Sequence, residues 1–205
     1  VIANIKYRNY KEIICFPGDV EEIEEMSFLS LADLMPELEH QGIIKLYRNY
    51  VPLIKKEYFH KAEGIHGVSH TRRVLLLSLI LSGMENLTES DRDLLCQVAI
   101  FHDIGRTNDN FDPEHGRQSY QKIQHNNLFK AEGQKQEMLR FIIENHCISD
   151  VQARHLLNNY QVNDREHLFN LYQVFKDADG LDRIRINDLD IKHLRTPSAH
   201  KLLLV

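Results

Sequence analysis

The segment SHTRRVLLLSLILSGM, residues 69–84, is apolar on almost every face of the helix that its residue spacing predicts. A helix of this kind has to be covered on all sides, so it constrains the fold more than any other stretch. Helical spacing also runs through the segments from Gly42 onward, whereas the alternation typical of strands is hardly visible after residue 40. The sequence therefore predicts an all-α fold, a helical bundle around one buried helix.

These segments predict one domain rather than several. The helical domain is expected at residues 41–205, with its core at about 42–185, behind a short irregular extension at residues 1–40. The total of 205 residues suits one domain of ordinary size. Because the last residues, HKLLLV, stop inside an apolar run, we expect the domain to be cut short at its C-terminal end.

Composition narrows the function classes. A formal net charge of -5 gives no strong signal for nucleic-acid binding, and no apolar run reaches the ~18 residues of a membrane span. The three cysteines, Cys15, Cys96 and Cys147, are widely spaced, which suits free buried thiols and a cytoplasmic location. Nothing beside Cys96 or Cys147 indicates a reactive thiolate, and the oligomeric state is left open.

Two side chains suited to metal binding stand together where an apolar helical run ends, in AIFHDIGR. Consecutive residues on a helix diverge by ~100°, so His102 and Asp103 can reach one ion only where the helix is ending. Gly105 fits such an ending. Each residue taken singly would also fit an ordinary polar helix end.

Further candidates lie at inner or terminal positions of other apolar helices. His66, His70 and Arg73 share one stripe if their helix extends upstream, and His146 closes the run before it. Burying a carboxylate without a partner costs several kcal/mol, so acids in such places should pair or bind a cation. A mixed set of imidazoles and carboxylates suits a divalent transition metal, namely Mn, Fe, Co, Ni or Zn, with Mg as a further candidate.

The ordered set His70, His102-Asp103 and Asp179 resembles the H…HD…D signature of the HD-domain metal-dependent phosphohydrolases. The segment HTRRV is similar to the family's His-x-x-x-Val helix, AIFHDIGR to its HD helix end, and KDADGLD to its late ADxLD helix. HGVSH resembles the H-x-x-x-H start of one branch. The resemblance runs from about Gly42 to Arg185, and it implies an HD-domain helical bundle.

The resemblance also implies the residue roles. His70, His102, Asp103 and Asp179 would hold the metal, with Asp177 as the alternative to Asp179. The implied reaction is hydrolysis of a phosphate ester of a small molecule, with a nucleotide favoured by the family, by water that the metal activates. Asp103 would orient or deprotonate that water, and Arg106 would clamp phosphate oxygens.

Several roles stay open at this point. His115 and His146 resemble positions that hold a second metal in some relatives and contact the substrate phosphate in others. We expect one firmly held ion and leave a weaker second one open. His66 and Arg73 are candidates for substrate binding, although Arg73 also fits a salt bridge. The alternative function is a non-catalytic regulatory module that binds a metal or a nucleotide within a longer protein.

Overall fold

The computed structural model describes residues 40–203, where all the regular structure is helical, which confirms the all-α prediction. The predicted extension at residues 1–40 lies outside the described residues except for its last position. None of the described helices is long and apolar enough to cross a membrane. The α-helices are α1 (His40–Tyr50), α2 (Val68–Met84), α3 (Glu89–Phe101), α4 (His115–His125), α5 (Gln134–Asn145), α6 (Asp150–Leu156), α7 (Arg165–Leu181) and α8 (Pro197–Leu203).

Helix α2 is the central helix, as its sequence predicts. It packs against α1, α3, α7 and α8, and Val74, Leu75, Leu79 and Leu81 are fully buried between them. Each such side chain contributes about 1.5–3 kcal/mol by leaving water, so this helix is a large contributor to the hydrophobic core. The helix begins at Val68, so His66 lies in the turn before it and not on the predicted helical stripe.

The helix ends follow local signals in the sequence. Thr88 caps α3 by accepting a hydrogen bond from the backbone N–H of Asp91, and Ser149 forms a capping box with Gln152 at the start of α6. Helix α1 ends at Tyr50 because Pro52 follows it in a short 3-10 turn.

Two glycines allow the close approaches that build the site. A Cβ on Gly116 would lie 2.4 Å from the carbonyl oxygen of Ile143, so α4 can lie against α5 only with glycine there. A Cβ on Gly105 would lie 2.1 Å from the backbone nitrogen of Ser119 in α4. Both contacts draw the start of α4 toward the ends of α3 and α5.

An ion-pair cluster binds the segment after α7 to the rest of the bundle. The buried carboxylate of Asp177 accepts hydrogen bonds from the backbone N–H groups of Arg195 and Thr196, at 3.0 and 2.7 Å. The guanidinium of Arg195 in turn donates two hydrogen bonds to Asp150, from Nε at 2.7 Å and from Nη2 at 3.0 Å. Asp177 therefore holds the chain that precedes α8.

The Asp150–Arg195 ion pair should make the free energy of unfolding depend on pH in the acid range. Partial burial would raise the pKa of Asp150, but the hydrogen bond from Arg195 and the charge of Lys176 hold this pKa below its ordinary value. Its stabilisation is therefore complete above the unfolded pKa of about 4 and is lost as the pH falls through the lower folded value. We expect Asp150→Asn to lower the melting temperature by ~2–4 °C at pH 7, and by less near pH 3. Thermal melts at both pH values measure this difference.

Glu166→Gln is the matched control, because Glu166 pairs with Arg154 at an exposed position. It should leave the melting temperature nearly unchanged at both pH values. A pH-independent loss in Asp150→Asn would contradict the assigned ion pair.

Candidate metal centre

Five helix ends and faces meet at one open cavity of about 830 Å³. Helix α2 provides His70, the end of α3 provides Asp103 together with the fully buried His102, and the start of α4 provides His115. The residue after α5, His146, and Asp179 of α7 complete the set. All except Asp179 are buried, with at most 5% of each residue exposed.

The turn that carries His102 and Asp103 is held from behind by α4. The hydroxyl of Ser119 donates to the carbonyl oxygen of His102 at 2.6 Å and accepts from the backbone N–H of Gly105 at 2.8 Å. Lys122 donates to the carbonyl oxygen of Ile104 at 3.0 Å. These bonds satisfy carbonyl groups that the ending helix leaves without partners, and they fix the direction of both adjacent side chains.

Gly105→Ala should disrupt this turn. The new methyl group would overlap the backbone of α4, which cannot move as a flexible side chain would, so we expect a loss of about 1–3 kcal/mol in unfolding free energy. Metal affinity should fall with it, because Asp103 shifts. Chemical denaturation and metal titration measure the two effects.

Gly180→Ala provides the control for this substitution. Its Cβ would meet only Leu194 at 3.9 Å, so alanine in helix α7 should be neutral or stabilising by ~0.5–1 kcal/mol. If Gly105→Ala were tolerated equally well, the close approach of the turn to α4 would not be required.

The first histidine pair is His70 and His102. The Nδ1–H of His70 donates to Asp182 at 2.6 Å and that of His102 to the carbonyl oxygen of Ala99 at 2.9 Å, so each ring turns its Nε2 to the cavity side. The two Nε2 atoms lie 3.1 Å apart. Asp103 Oδ2 lies 3.4 and 3.5 Å from them, and Asp179 Oδ1 lies 3.4 and 3.8 Å from them.

The second pair, His115 and His146, is built in the same way. Both Nδ1–H groups donate to backbone carbonyl oxygens, those of Asp112 and of Ile143. The Nε2 atoms therefore face each other as acceptors across only 2.8 Å. The other carboxylate oxygen of Asp103, Oδ1, lies 3.1 Å from His115 Nε2 and 3.6 Å from His146 Nε2.

Asp103 thus lies between the two pairs and offers one oxygen to each. Its remaining contacts are the Nδ1 of His66 at 3.0 Å and the Nε of Arg106 at 2.9 Å. Burial alone would raise the pKa of Asp103, but the surrounding histidines outweigh burial and hold this pKa well below its ordinary value. The side chain is a stable carboxylate, which suits a ligand better than a base that accepts a proton.

The electrostatics of the first pair favour a cation. Burial by itself lowers the pKa of His70, but hydrogen bonds to Asp103, Asp179 and Asp182 outweigh burial and raise this pKa to about 10. Burial lowers the pKa of His102 to about 3, so that ring is neutral. The carboxylates that attract a proton to His70 would attract a metal ion to the same place.

The geometry distinguishes the three late aspartates. Asp179 faces the first histidine pair. Asp177, the alternative ligand, instead accepts hydrogen bonds from the segment before α8. Asp182 was not assigned a role from the sequence, yet it is fully buried and orients His70. Its three-residue spacing from Asp179 places both on one face of the chain, which was the available signal.

Some of the other predicted residues line the cavity, and others lie in the protein interior away from it. His66 and Arg106 line the cavity, and both contact Asp103. Arg73 instead donates to Asp182 through Nε at 2.6 Å, which supports the salt-bridge alternative over a substrate contact. Cys96 is buried, as predicted, whereas Cys147 is partly exposed and lies beside the second histidine pair.

The donor set fits a divalent metal. Imidazole nitrogens with fixed tautomers and carboxylate oxygens are ligands that Mn, Fe, Co, Ni and Zn accept, and their second nitrogens are oriented by hydrogen bonds. Atoms bound at about 2.1 Å to one ion lie roughly 3–3.5 Å apart, close to the separations found here. The facing Nε2 atoms of His115 and His146 would otherwise be two buried acceptors without a proton between them.

Comparison with known proteins agrees with this geometry. The family model of the HD domain matches residues 67–184, which is more than half of the chain. That range contains all six residues of the two histidine pairs and their aspartates. No curated protein and no solved structure matches the chain significantly. The chain belongs to the HD domain family, a superfamily of metal-dependent phosphohydrolase type.

Proposed function

We propose that the protein hydrolyses a phosphate ester of a small molecule, with a nucleotide as the preferred substrate, and that it needs divalent metal to do so. The observation that carries the proposal is Asp103, whose two oxygens each serve one histidine pair at the base of an open cavity. Two cation positions that share a carboxylate suit displacement at a phosphoryl group. This geometry supports two ions more strongly than the sequence pattern did.

The charge of the cavity lining supports a metal requirement. Six aspartates and five lysine or arginine residues line the cavity, and His70, whose pKa is raised to about 10, adds one positive charge, so the formal charge of the lining is close to zero. The lining as a whole therefore does not attract a phosphate, whereas divalent cations bound at the histidine pairs would make it positive. We therefore expect phosphorylated ligands to bind only after metal.

The roles of the side chains follow from their contacts. His70, His102 and Asp179 with Asp103 would hold one ion, and His115 and His146 with the other Asp103 oxygen would hold the second. A bound ion would polarise a phosphoryl oxygen and lower the pKa of a water molecule. Asp103 orients the groups around it, and His66, whose Nδ1 lies against Asp103, presents the rest of its ring to the cavity.

Arg106 is the proposed phosphate clamp. Its Nε donates to Asp103 and its Nη1 to the carbonyl oxygen of Asn110 at 3.2 Å, so the guanidinium is held at the cavity wall. A guanidinium has five N–H donors, and three of them remain for phosphate oxygens.

Arg106→Ala should lower kcat/KM by about 10²-fold, because one charge-stabilising group is removed from the site. The metal content should stay at the wild-type value, since all the proposed ligands remain. Steady-state kinetics and elemental analysis of the same preparation measure both quantities. Arg154→Ala, which removes an exposed ion pair, should change neither. Parallel loss of metal and turnover would contradict the clamp role.

The rim of the cavity supports a substrate with an organic body. Phe111 is 88% exposed and Val151 is 69% exposed, and both line the cavity together with Ile186. Such side chains gain free energy when an apolar or aromatic group covers them. A nucleotide, with phosphate at the metal centre and base at the rim, fits this arrangement.

A hydrolysis screen tests the proposal. Protein supplemented with Mn²⁺ or Co²⁺ should release phosphate or nucleoside monophosphate from some members of a nucleotide and phosphomonoester panel, and EDTA should abolish the release. Tight nucleotide binding without any turnover across the panel would favour the regulatory alternative. The free thiols of Cys96 and Cys147 support a reducing, cytoplasmic setting for this activity.

A further inference from the structure

Two helices of the bundle end in the same way. Helix α3 is followed by His102 and Asp103, and helix α5 is followed by His146 and Cys147, so each end places two consecutive ligand-type side chains. The first end supplies the shared carboxylate of the metal centre. The second end supplies a thiol, which lines the same cavity and is partly exposed.

The thiol lies within reach of the second histidine pair. One ligand atom from each of His115, His146 and Cys147 can be chosen so that all three lie within 4.8 Å of one another. Asp103 Oδ1 adds an oxygen at 3.1 Å from His115 Nε2. The three residues therefore bring two nitrogens and one sulfur close together, and these are donor types that Zn²⁺ takes.

We propose that Cys147 is a thiolate ligand of the second cation position and that it makes this position selective for divalent metals that accept thiolate sulfur readily, such as Zn²⁺ or Co²⁺. The inference rests on the proposed function for the presence of that position and adds the identity of its sulfur ligand. The first position has only nitrogen and oxygen donors, which also suit Mn²⁺. The two positions consequently differ in metal preference.

The present contacts of Cys147 allow the thiol to become a metal ligand. Its Sγ–H donates to the carbonyl oxygen of Pro113 at 3.0 Å, and a thiol is a weak donor, so little is lost when the bond breaks. On metal binding the S–H bond breaks, its proton passes to solvent, and sulfur donates the electron pair to the cation. Pro113 lies two residues before His115, so the thiol is already held at the start of α4.

Cobalt absorption tests the ligand directly. Metal-free protein titrated with Co²⁺ should develop the near-ultraviolet charge-transfer absorption of a cobalt–thiolate bond. Cys147→Ser should lose this absorption, whereas Cys96→Ala should retain it, because Cys96 is fully buried in the core. Zinc competition with a chromophoric chelator should show the Cys147→Ser protein to bind its second Zn²⁺ at least ~10-fold more weakly. Circular dichroism of both variants checks that they remain folded.

The outcomes separate this inference from the proposed function. Two bound Co²⁺ ions without thiolate absorption would overturn the role of Cys147 and leave the two-metal centre standing. Thiolate absorption that persists in Cys147→Ser would also overturn it, since another cysteine would be the ligand. No bound Co²⁺ in the wild-type protein would instead overturn the proposed function.

Discussion

Replacing Asp103 with asparagine should remove metal from both histidine pairs at once. Asp103 Oδ2 lies beside His70 and His102, and Asp103 Oδ1 lies beside His115 and His146, so the single change removes the shared anionic ligand. The amide keeps the size of the side chain but carries no charge to attract a divalent ion. We expect bound metal to fall from about two ions per chain to none after gel filtration, and hydrolysis to fall with it. Elemental analysis measures the metal.

Asp109→Asn is the matched control for this change. Asp109 is a nearby loop carboxylate that lies 3.9 Å from Lys61 and has no contact with the histidine pairs. It should retain wild-type metal and activity. If Asp103→Asn kept its full metal content, Asp103 would not be the shared ligand.

Asp182→Asn should produce the largest loss of stability. Its carboxylate is fully buried and accepts hydrogen bonds from His70, from Arg73 Nε at 2.6 Å and from Arg185 Nη1 at 2.5 Å. Removing its charge leaves two arginines uncompensated in or near the interior, at a cost of about 3–5 kcal/mol. The melting temperature should fall by about 10 °C. Metal affinity at the first histidine pair should fall ~10–100-fold, because the orienting partner of His70 is weakened.

Asp188→Asn separates this effect from a general loss of acidity. Asp188 pairs with Arg183 where both side chains are more than half exposed, so the pair should contribute little. Its melting temperature and metal affinity should match the wild-type values. Wild-type melting temperature and metal affinity in Asp182→Asn as well would show that neither the stability nor the orientation of His70 depends on the Asp182 carboxylate.

The parts of the fold and site that depend on local sequence could be predicted. The all-apolar segment of α2 predicts a central helix because each face must be buried. His102 and Asp103 are consecutive, so their convergence requires a helix end, and α3 does end at Phe101. The structure places His70 and Asp179 beside them in agreement with the family pattern.

The contacts between distant segments could not be predicted from local patterns. The family resemblance pointed to His115 and His146 together, but it did not show how they meet, which depends on Gly116 letting α4 lie against the carbonyl of Ile143. His66 would have lain on a helical stripe had its helix extended upstream, but the helix begins at Val68 and His66 reaches Asp103 from the turn before it.

The same limit applies to residues whose partners lie far away in the chain. Arg73 has the chemistry of a substrate ligand, but it donates a hydrogen bond to Asp182, which lies 109 positions later. Cys147 does not stand out in the sequence, because its neighbour His146 meets its partner only when α4 packs beside it. Side-chain chemistry was therefore predictable, whereas the choice between partners required the tertiary structure.

The metal-to-chain ratio after equilibration with Co²⁺ and gel filtration measures whether Asp103 joins two cation positions. We expect about two ions per chain in the wild-type protein, about one in His115→Ala, and none in Asp103→Asn. A wild-type protein that holds no ion, or equal ratios in all three proteins, would show that Asp103 does not join two such positions.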